Sequence, residues 1–274
     1  MKIIPCVIIA AAILARARLL MLRTRRGTER MRALRGFRYA HRGLHEGSAG
    51  IPENSLSAFA RAAARGYGAE LDVHLLRDGS LAVFHDSALM RMTGRAGDIE
   101  ALDAAELKRC FLGGTEETIP QLCEVLPLFE GTGLPLIVEL KTYGGNYAAL
   151  TERTMAELDR FHVPYCVESF DPRCLRWLRR HRPETVRGQL AADFTREHSD
   201  KGPVLDYLAA KLLMNFYGLP DFIAYKFEDR RRAPLRLCRR LFGAQIVCWT
   251  VRSREDMEQA EREGAMVIFE RFIP

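Results

Sequence analysis

The chain has 274 residues, of which 48% are hydrophobic and 28% charged, with a net charge of +6. That suits one large globular domain and excludes a disordered or fibrous chain. Residues 1–38 hold ten of the 41 Lys/Arg and one of the 35 Asp/Glu, so the remaining residues carry 31 basic against 34 acidic groups, or −3. The basic balance belongs to the N-terminal segment, and no basic stripe interleaved with aromatics runs through the body. This excludes nucleic acid as a partner.

The first element is apolar from Ile3 to Ala15, apart from Pro5 and Cys6, and resumes after Arg16 and Arg18 with Leu19-Leu20-Met21-Leu22. Thirteen uninterrupted residues are short for a span of roughly 20. Ile3 to Leu22 reaches that length if the two arginines snorkel towards the headgroups. The basic flank then stays inside, which predicts a single-pass anchor over residues 1–30 with a cytoplasmic body. Two alternatives are a surface-lying helix, giving a peripheral protein, and a signal peptide cleaved near Ala15-Arg16-Ala17, giving a secreted one. Seven scattered cysteines without a Cys-x-x-Cys pair indicate neither a zinc knuckle nor a disulfide framework.

From residue 36 to 274, β-rich runs alternate with helical periodicity. Strands are predicted at 37–41, 69–74, 136–140, 165–169, 186–190, 222–225, 246–250 and 266–270. Helices are predicted at 55–65, 147–161, 172–181, 203–215, 231–242 and 253–263. Eight such units fit a TIM (β/α)8 barrel, with a doubly wound sheet as the runner-up that lacks its Gly-x-Gly-x-x-Gly turn. The stretch between the second and third barrel strands is too long for one crossover. It predicts a small insertion over about 75–118, with an extra strand at 81–84.

Chemistry concentrates at the strand ends. Glu70 and Asp72 are two residues apart on one strand, so they share a face, while Leu71 and Val73 take the other. The apolar pair belongs against the outer helices, which turns the carboxylates into the barrel. Glu139 repeats this on the next barrel strand, with Lys141 on the same parity. Three converging carboxylates repel unless a cation lies between them. Hard oxygen ligands select calcium or magnesium, with manganese a third option. His41 ends the first strand and His85 the inserted one, which predicts an acid/base pair. Arg42 and Lys141 suit phosphate oxygens. Glu53 lies on the loop after the first strand, and Trp249 ends the seventh, where it can floor a pocket. His45, His74, His162, His181 and His198 lack such context and are read as structural or surface residues. The set points to metal-assisted chemistry on an anionic group.

These residues resemble the glycerophosphodiester phosphodiesterase family. The likeness runs through Tyr39-Ala40-His41-Arg42-Gly43, Pro52-Glu53-Asn54-Ser55, Glu70-Leu71-Asp72-Val73, Arg77-Asp78-Gly79, His85-Asp86, Leu89 to Gly94, Ile119-Pro120, Glu139-Leu140-Lys141 and Trp249-Thr250-Val251. It implies a TIM barrel with an insertion after the second strand, and hydrolysis of small glycerophosphodiesters to glycerol 3-phosphate and an alcohol. It further implies a divalent metal on Glu70, Asp72 and Glu139, acid/base work by His41 and His85, phosphate binding by Arg42 and Lys141, and a supporting Glu53. A lysophospholipase D-type reaction and a catalytically silent lipid-binding barrel are the alternatives. No protein partner is indicated. The chain departs from the family pattern at Phe269-Glu270-Arg271-Phe272, where a Thr-Asp-Arg-Pro-like turn is usual. It departs again at Arg252, where Asn is frequent. The first departure is expected to alter the local turn or pocket wall more than the chemistry.

Overall fold

The computed structural model describes residues 3–25, 29–193 and 202–274, so His198, Lys2 and Arg26 lie outside the described residues. Nine strands form one sheet: β1 (Arg38–Ala40), β2 (Gly68–Leu75), β3 (Leu81–Val83), β4 (Leu136–Leu140), β5 (Tyr165–Ser169), β6 (Arg187–Ala191), β7 (Phe222–Lys226), β8 (Gln245–Val251) and β9 (Met266–Phe269). Eight are parallel and close on themselves through β1–β2 and β1–β9 pairing, while β3 adds antiparallel to β2. This is the TIM barrel that the alternation of elements predicts. The longer helices are α1 (Ile3–Met21), α2 (Glu29–Leu34), α3 (Leu56–Ala64), α4 (Tyr147–Leu158), α5 (Pro172–His181), α6 (Pro203–Ala210), α7 (Ala233–Phe242) and α8 (Arg254–Arg262). Ser55 and Ser253 cap α3 and α8 by accepting from the N–H groups of Ala58 and Asp256. The helix expected over 203–215 stops at Ala210. Leu212 takes a left-handed φ of 57°, and a separate turn forms at Asn215–Gly218.

Strand parity sorts the core. Leu71, Val73, Val138 and Val167 face the surrounding helices, and Tyr39, Ile137, Cys166, Phe222 and Val247 fill the lumen. Gly188 on β6 pairs in register with Phe222 and leaves room for its ring, since a Cβ there would lie 2.1 Å from it. The segment from residue 76 to 119 has its own small core, including Phe84, Leu89, Ile99 and Leu107, which supports the His85 loop.

The N-terminal segment joins the barrel. Leu22 is buried in the main core, and its carbonyl accepts from Cys238 Sγ at 3.4 Å. Arg25 forms a bidentate pair with Asp221 at the start of β7. Met31 and Leu34 of α2 pack with the lumen residues, and Tyr39 donates its hydroxyl to the Leu34 carbonyl at 2.7 Å. This helix therefore plugs the barrel floor. Met31→Ala would open a void under Tyr39 and is expected to cost about 2–5 kcal/mol, read as a lower denaturant midpoint with unchanged slope.

Among the described residues no helix is long and apolar enough to cross a membrane. The expected single-pass anchor is thus not supported. Arg16 and Arg18 fall inside the needed length, and the helix ends at Met21 because Leu22 turns into the barrel core.

Candidate active site

Register brings the acids together. Asp72 pairs directly with Glu139, and Glu139 with Glu168 on the next strand, so successive inward positions all carry carboxylates. Glu70, Asp72 and Glu139 are buried, and each offers an oxygen within 4.8 Å of the others'. Lys141 lies 2.9 Å from Asp72 Oδ1 and 2.7 Å from Glu139 Oε1. Arg42 Nε lies 3.5 Å from Asp72 Oδ2. These cations do not neutralise the group. Burial and the neighbouring acids push Glu70 well above the usual carboxylate range and Glu139 up to about 7. Asp72 is held well below that range, because Lys141, His85, Arg42 and the Asn54 amide outweigh its burial. The cluster is one cation short of balance, and its donors are all hard oxygens. It fits a divalent metal such as calcium or magnesium.

The loop after β1 is shaped to serve this cluster. Arg42 and Asn54 both adopt left-handed φ, 53° and 55°. Such strain at a non-glycine residue costs on the order of 1–3 kcal/mol. It aims the Arg42 N–H at Glu70 Oε2 (3.0 Å), and the Asn54 side chain donates to Asp72 Oδ2 (2.9 Å). Gly43 must be glycine, because a Cβ there would meet Ala58 at 2.8 Å.

Each predicted catalytic histidine has its Nδ1 tied to a carboxylate. His41 Nδ1 is 2.7 Å from Glu270 Oε2, and His85 Nδ1 is 2.6 Å from Asp86 Oδ1. A carboxylate acceptor assigns the proton to Nδ1 and leaves Nε2 free. His41 Nε2 lies 4.0 Å from Glu70 Oε2, on the acid cluster. Each orienting carboxylate is in turn held by an arginine. Arg252 Nε donates to Glu270 at 2.7 Å and Arg91 Nε to Asp86 at 2.5 Å. Arg91 also grips Glu53, which accepts from Arg42 at 2.7 Å, so the two histidine loops are joined. Burial lowers both imidazoles. His85 falls to about 4, with Lys141 and Arg42 adding to the effect, while hydrogen bonding to Glu270 partly offsets the shift of His41.

The structure thus brings together His41, Arg42, Glu53, Glu70, Asp72, His85, Glu139 and Lys141. Trp249 stands apart from their contacts and packs edge-on against Phe170, ring centroids 5.8 Å apart. His74 is buried, paired with Glu100 at 2.7 Å and facing the His85 carbonyl at 3.2 Å. Two residues escaped the sequence reading. Glu168 shares the inward parity of Cys166 on a strand that was correctly located, so parity alone could have found it. Glu270, from its place in the departing turn, is expected to bear on the turn or pocket wall more than on the chemistry. Instead it contacts His41, because closure of the barrel sets the end of β9 beside the end of β1. Glu270→Gln is expected to lower kcat roughly 10–100-fold with little change in KM, by loosening ring orientation and tautomer. A pH–rate profile with a displaced limb would separate this from simple loss of fold.

A cleft of about 720 Å3 opens beside the barrel mouth, lined by Thr142, Gly145, Phe170, Arg173, Leu205 and Met214. Its walls are more apolar than polar.

Residues 41–270 match the model of the glycerophosphoryl diester phosphodiesterase family. A glycerophosphodiester phosphodiesterase of Caldanaerobacter subterraneus is 29% identical over 82% of this chain and 89% of its own length. A lysophospholipase D of Rattus norvegicus is 33% identical over 43% of this chain and 42% of its own. In fold, the chain is similar to an Oleispira antarctica phosphodiesterase solved with the product sn-glycerol-3-phosphate. The TM-score is 0.69 at 23% identity, covering 85% of this chain and 92% of that one.

Proposed function

The chain belongs to the glycerophosphoryl diester phosphodiesterase family, and we propose that its barrel mouth hydrolyses glycerophosphodiesters to sn-glycerol 3-phosphate and an alcohol by histidine acid/base catalysis beside a divalent metal. Phosphodiesterase activity on glycerophosphodiesters follows from the family and its relatives. The residue roles are our reading. The observation that carries them is the pair of carboxylate-tied histidines flanking a buried, charge-deficient group of hard carboxylates.

In this reading Glu70, Asp72 and Glu139 hold the metal, which when bound supplies Lewis-acid polarisation of a phosphate oxygen. Arg42 and Lys141, already facing the acids, bind the remaining phosphate charge. His85 is the ring kept neutral, since burial drives its imidazole down to about 4, so it is free to take a proton. It takes the proton of the attacking hydroxyl, either from water or from the substrate's own glycerol, and in the second case water then opens the cyclic phosphate to give glycerol 3-phosphate. His41 is the better proton host, with Glu270 and Glu70 both near its ring. It protonates the departing alcohol as the P–O bond breaks. Glu53 holds Arg42 and Arg91 in place rather than meeting substrate.

The test is release of glycerol 3-phosphate from glycerophosphocholine and glycerophosphoethanolamine, before and after chelation and readdition of calcium, magnesium or manganese. Full turnover after complete metal removal would overturn the metal assignment. The apolar cleft favours a second substrate class, lysophospholipids, whose acyl chain it could house. Release of lysophosphatidic acid from lysophosphatidylcholine measures that reading directly.

A further inference from the structure

One flank of the barrel carries a charged and apolar surface that the active site does not use. Helix α5 has Arg176, Arg179 and Arg180 on one side, with Arg179 and Arg180 exposed and Arg176 half-buried. Among the described residues, no carboxylate forms an ion pair with these three arginines. The Arg176 guanidinium stacks 4.2 Å over the Tyr217 ring, and Arg179 donates to the Phe216 carbonyl. Two shallow hollows of about 360 and 340 Å3 both include Arg176, Arg180 and Tyr217. Phe216, on the adjoining turn, is 44% exposed. Helix α1 lies against that same turn and presents Ile8, Ile13 and Leu14 to solvent.

Basic groups interleaved with exposed aromatics, beside an apolar helix, match the layers of a lipid headgroup region. Arginines meet phosphates, aromatic rings sit at the interface, and aliphatic side chains reach the acyl boundary. We infer that this flank docks the protein peripherally on an anionic lipid surface, without spanning it. Charge complementarity selects the lipid, because the arginines have no carboxylate partner among the described residues and the body of the chain is otherwise slightly acidic. The patch is continuous with the barrel mouth. Arg173 lines one of its hollows and also the apolar cleft, which Leu205 of α6 borders while 48% exposed. A lipid-bound substrate could thus enter the cleft from the docked face. Docking itself does not depend on the proposed catalytic roles.

The full chain would be co-sedimented with vesicles of phosphatidylcholine alone and with about one-third phosphatidylglycerol, at about 0.15 M salt. Retention on the anionic vesicles only is expected. An Arg176→Glu/Arg179→Glu/Arg180→Glu variant should lose at least about tenfold in partitioning, while turnover of water-soluble glycerophosphocholine stays unchanged. Arg176→Gln/Arg180→Gln, which spares the Arg179 hydrogen bonds, should give a smaller loss and guards against misfolding. Phe216→Ser should weaken retention without changing its preference for anionic lipid. Equal retention on neutral vesicles, or unchanged retention of the charge-reversed variant, would overturn the inference. So would tighter binding to a DNA duplex than to the anionic vesicles.

Discussion

Replacing His41 by alanine is expected to lower kcat for glycerophosphocholine by about 10²–10⁴-fold, and replacing His85 to lower it by a similar factor. The two losses should separate when the leaving group changes. If His41 protonates the departing alcohol, a substrate with a p-nitrophenol leaving group needs little help, and His41→Ala should recover most of its rate. His85 acts on the attacking hydroxyl, so His85→Ala should remain impaired on both substrates. The assignment rests on a physical asymmetry. Both rings are partly buried and both are lowered, but His41 has Glu270 at 2.7 Å and Glu70 at 4.0 Å to stabilise an imidazolium. At His85 burial outweighs the Asp72 charge and the Asp86 hydrogen bond at 2.6 Å, and Lys141 and Arg42 add to the lowering. Equal recovery of both variants on the aryl substrate would dissolve the assignment, and recovery of His85→Ala alone would reverse it.

The same asymmetry shows what the chain's own pattern could reveal. Glu70, Asp72 and Glu139 were legible because strand parity is local: i and i+2 share a face wherever the strand ends up. The His85-Asp86 and His41-Arg42 dipeptides were legible as strand-end chemistry for the same reason. Glu270 was not, since its role depends on β9 closing against β1, a contact between residues 229 positions apart. A strict application of barrel closure would have placed those two strand ends side by side. Met31 and Leu34 were hidden by composition. They sit among arginines, so the segment looked like a basic flank, whereas its two apolar side chains complete the lumen floor. The apparent anchor misled in a related way. Hydropathy along one helix ignores that Leu22 is drawn into a core assembled from residues near 215 and 238. The insertion was visible as surplus length, yet the short helices it contains needed tertiary packing to exist at all.

The second large effect concerns the acid cluster. Glu139→Gln should abolish detectable turnover at ordinary divalent-ion concentrations, because it removes one of three charged ligands while leaving Lys141 in place. Yet the metal-free variant should be more stable than the metal-free parent above pH 7. The sign follows from linkage. An acid whose folded pKa is raised favours the folded state while protonated, and that advantage is lost as pH climbs from its unfolded value, about 4.3, through its folded one, which is about 7 for Glu139. Glu70 moves in the same direction. Relative to Glu139→Gln, which shares the opposing contribution of the two lowered histidines, the metal-free parent should therefore lose melting temperature between roughly pH 5 and 8, and added calcium or magnesium should restore it. Cation binding must displace the retained protons, so apparent affinity should rise with pH across the same window. Calorimetric titration in buffers of different ionisation enthalpy would count those protons. A glutamine at position 139 removes one titrating group and its repulsion, which flattens the pH dependence at the cost of the metal. Should the metal-free parent and Glu139→Gln instead show the same pH dependence from pH 5 to 8, the carboxylates would already be neutralised by Lys141 and Arg42. The cluster would then be a salt-bridge network with no need of an ion.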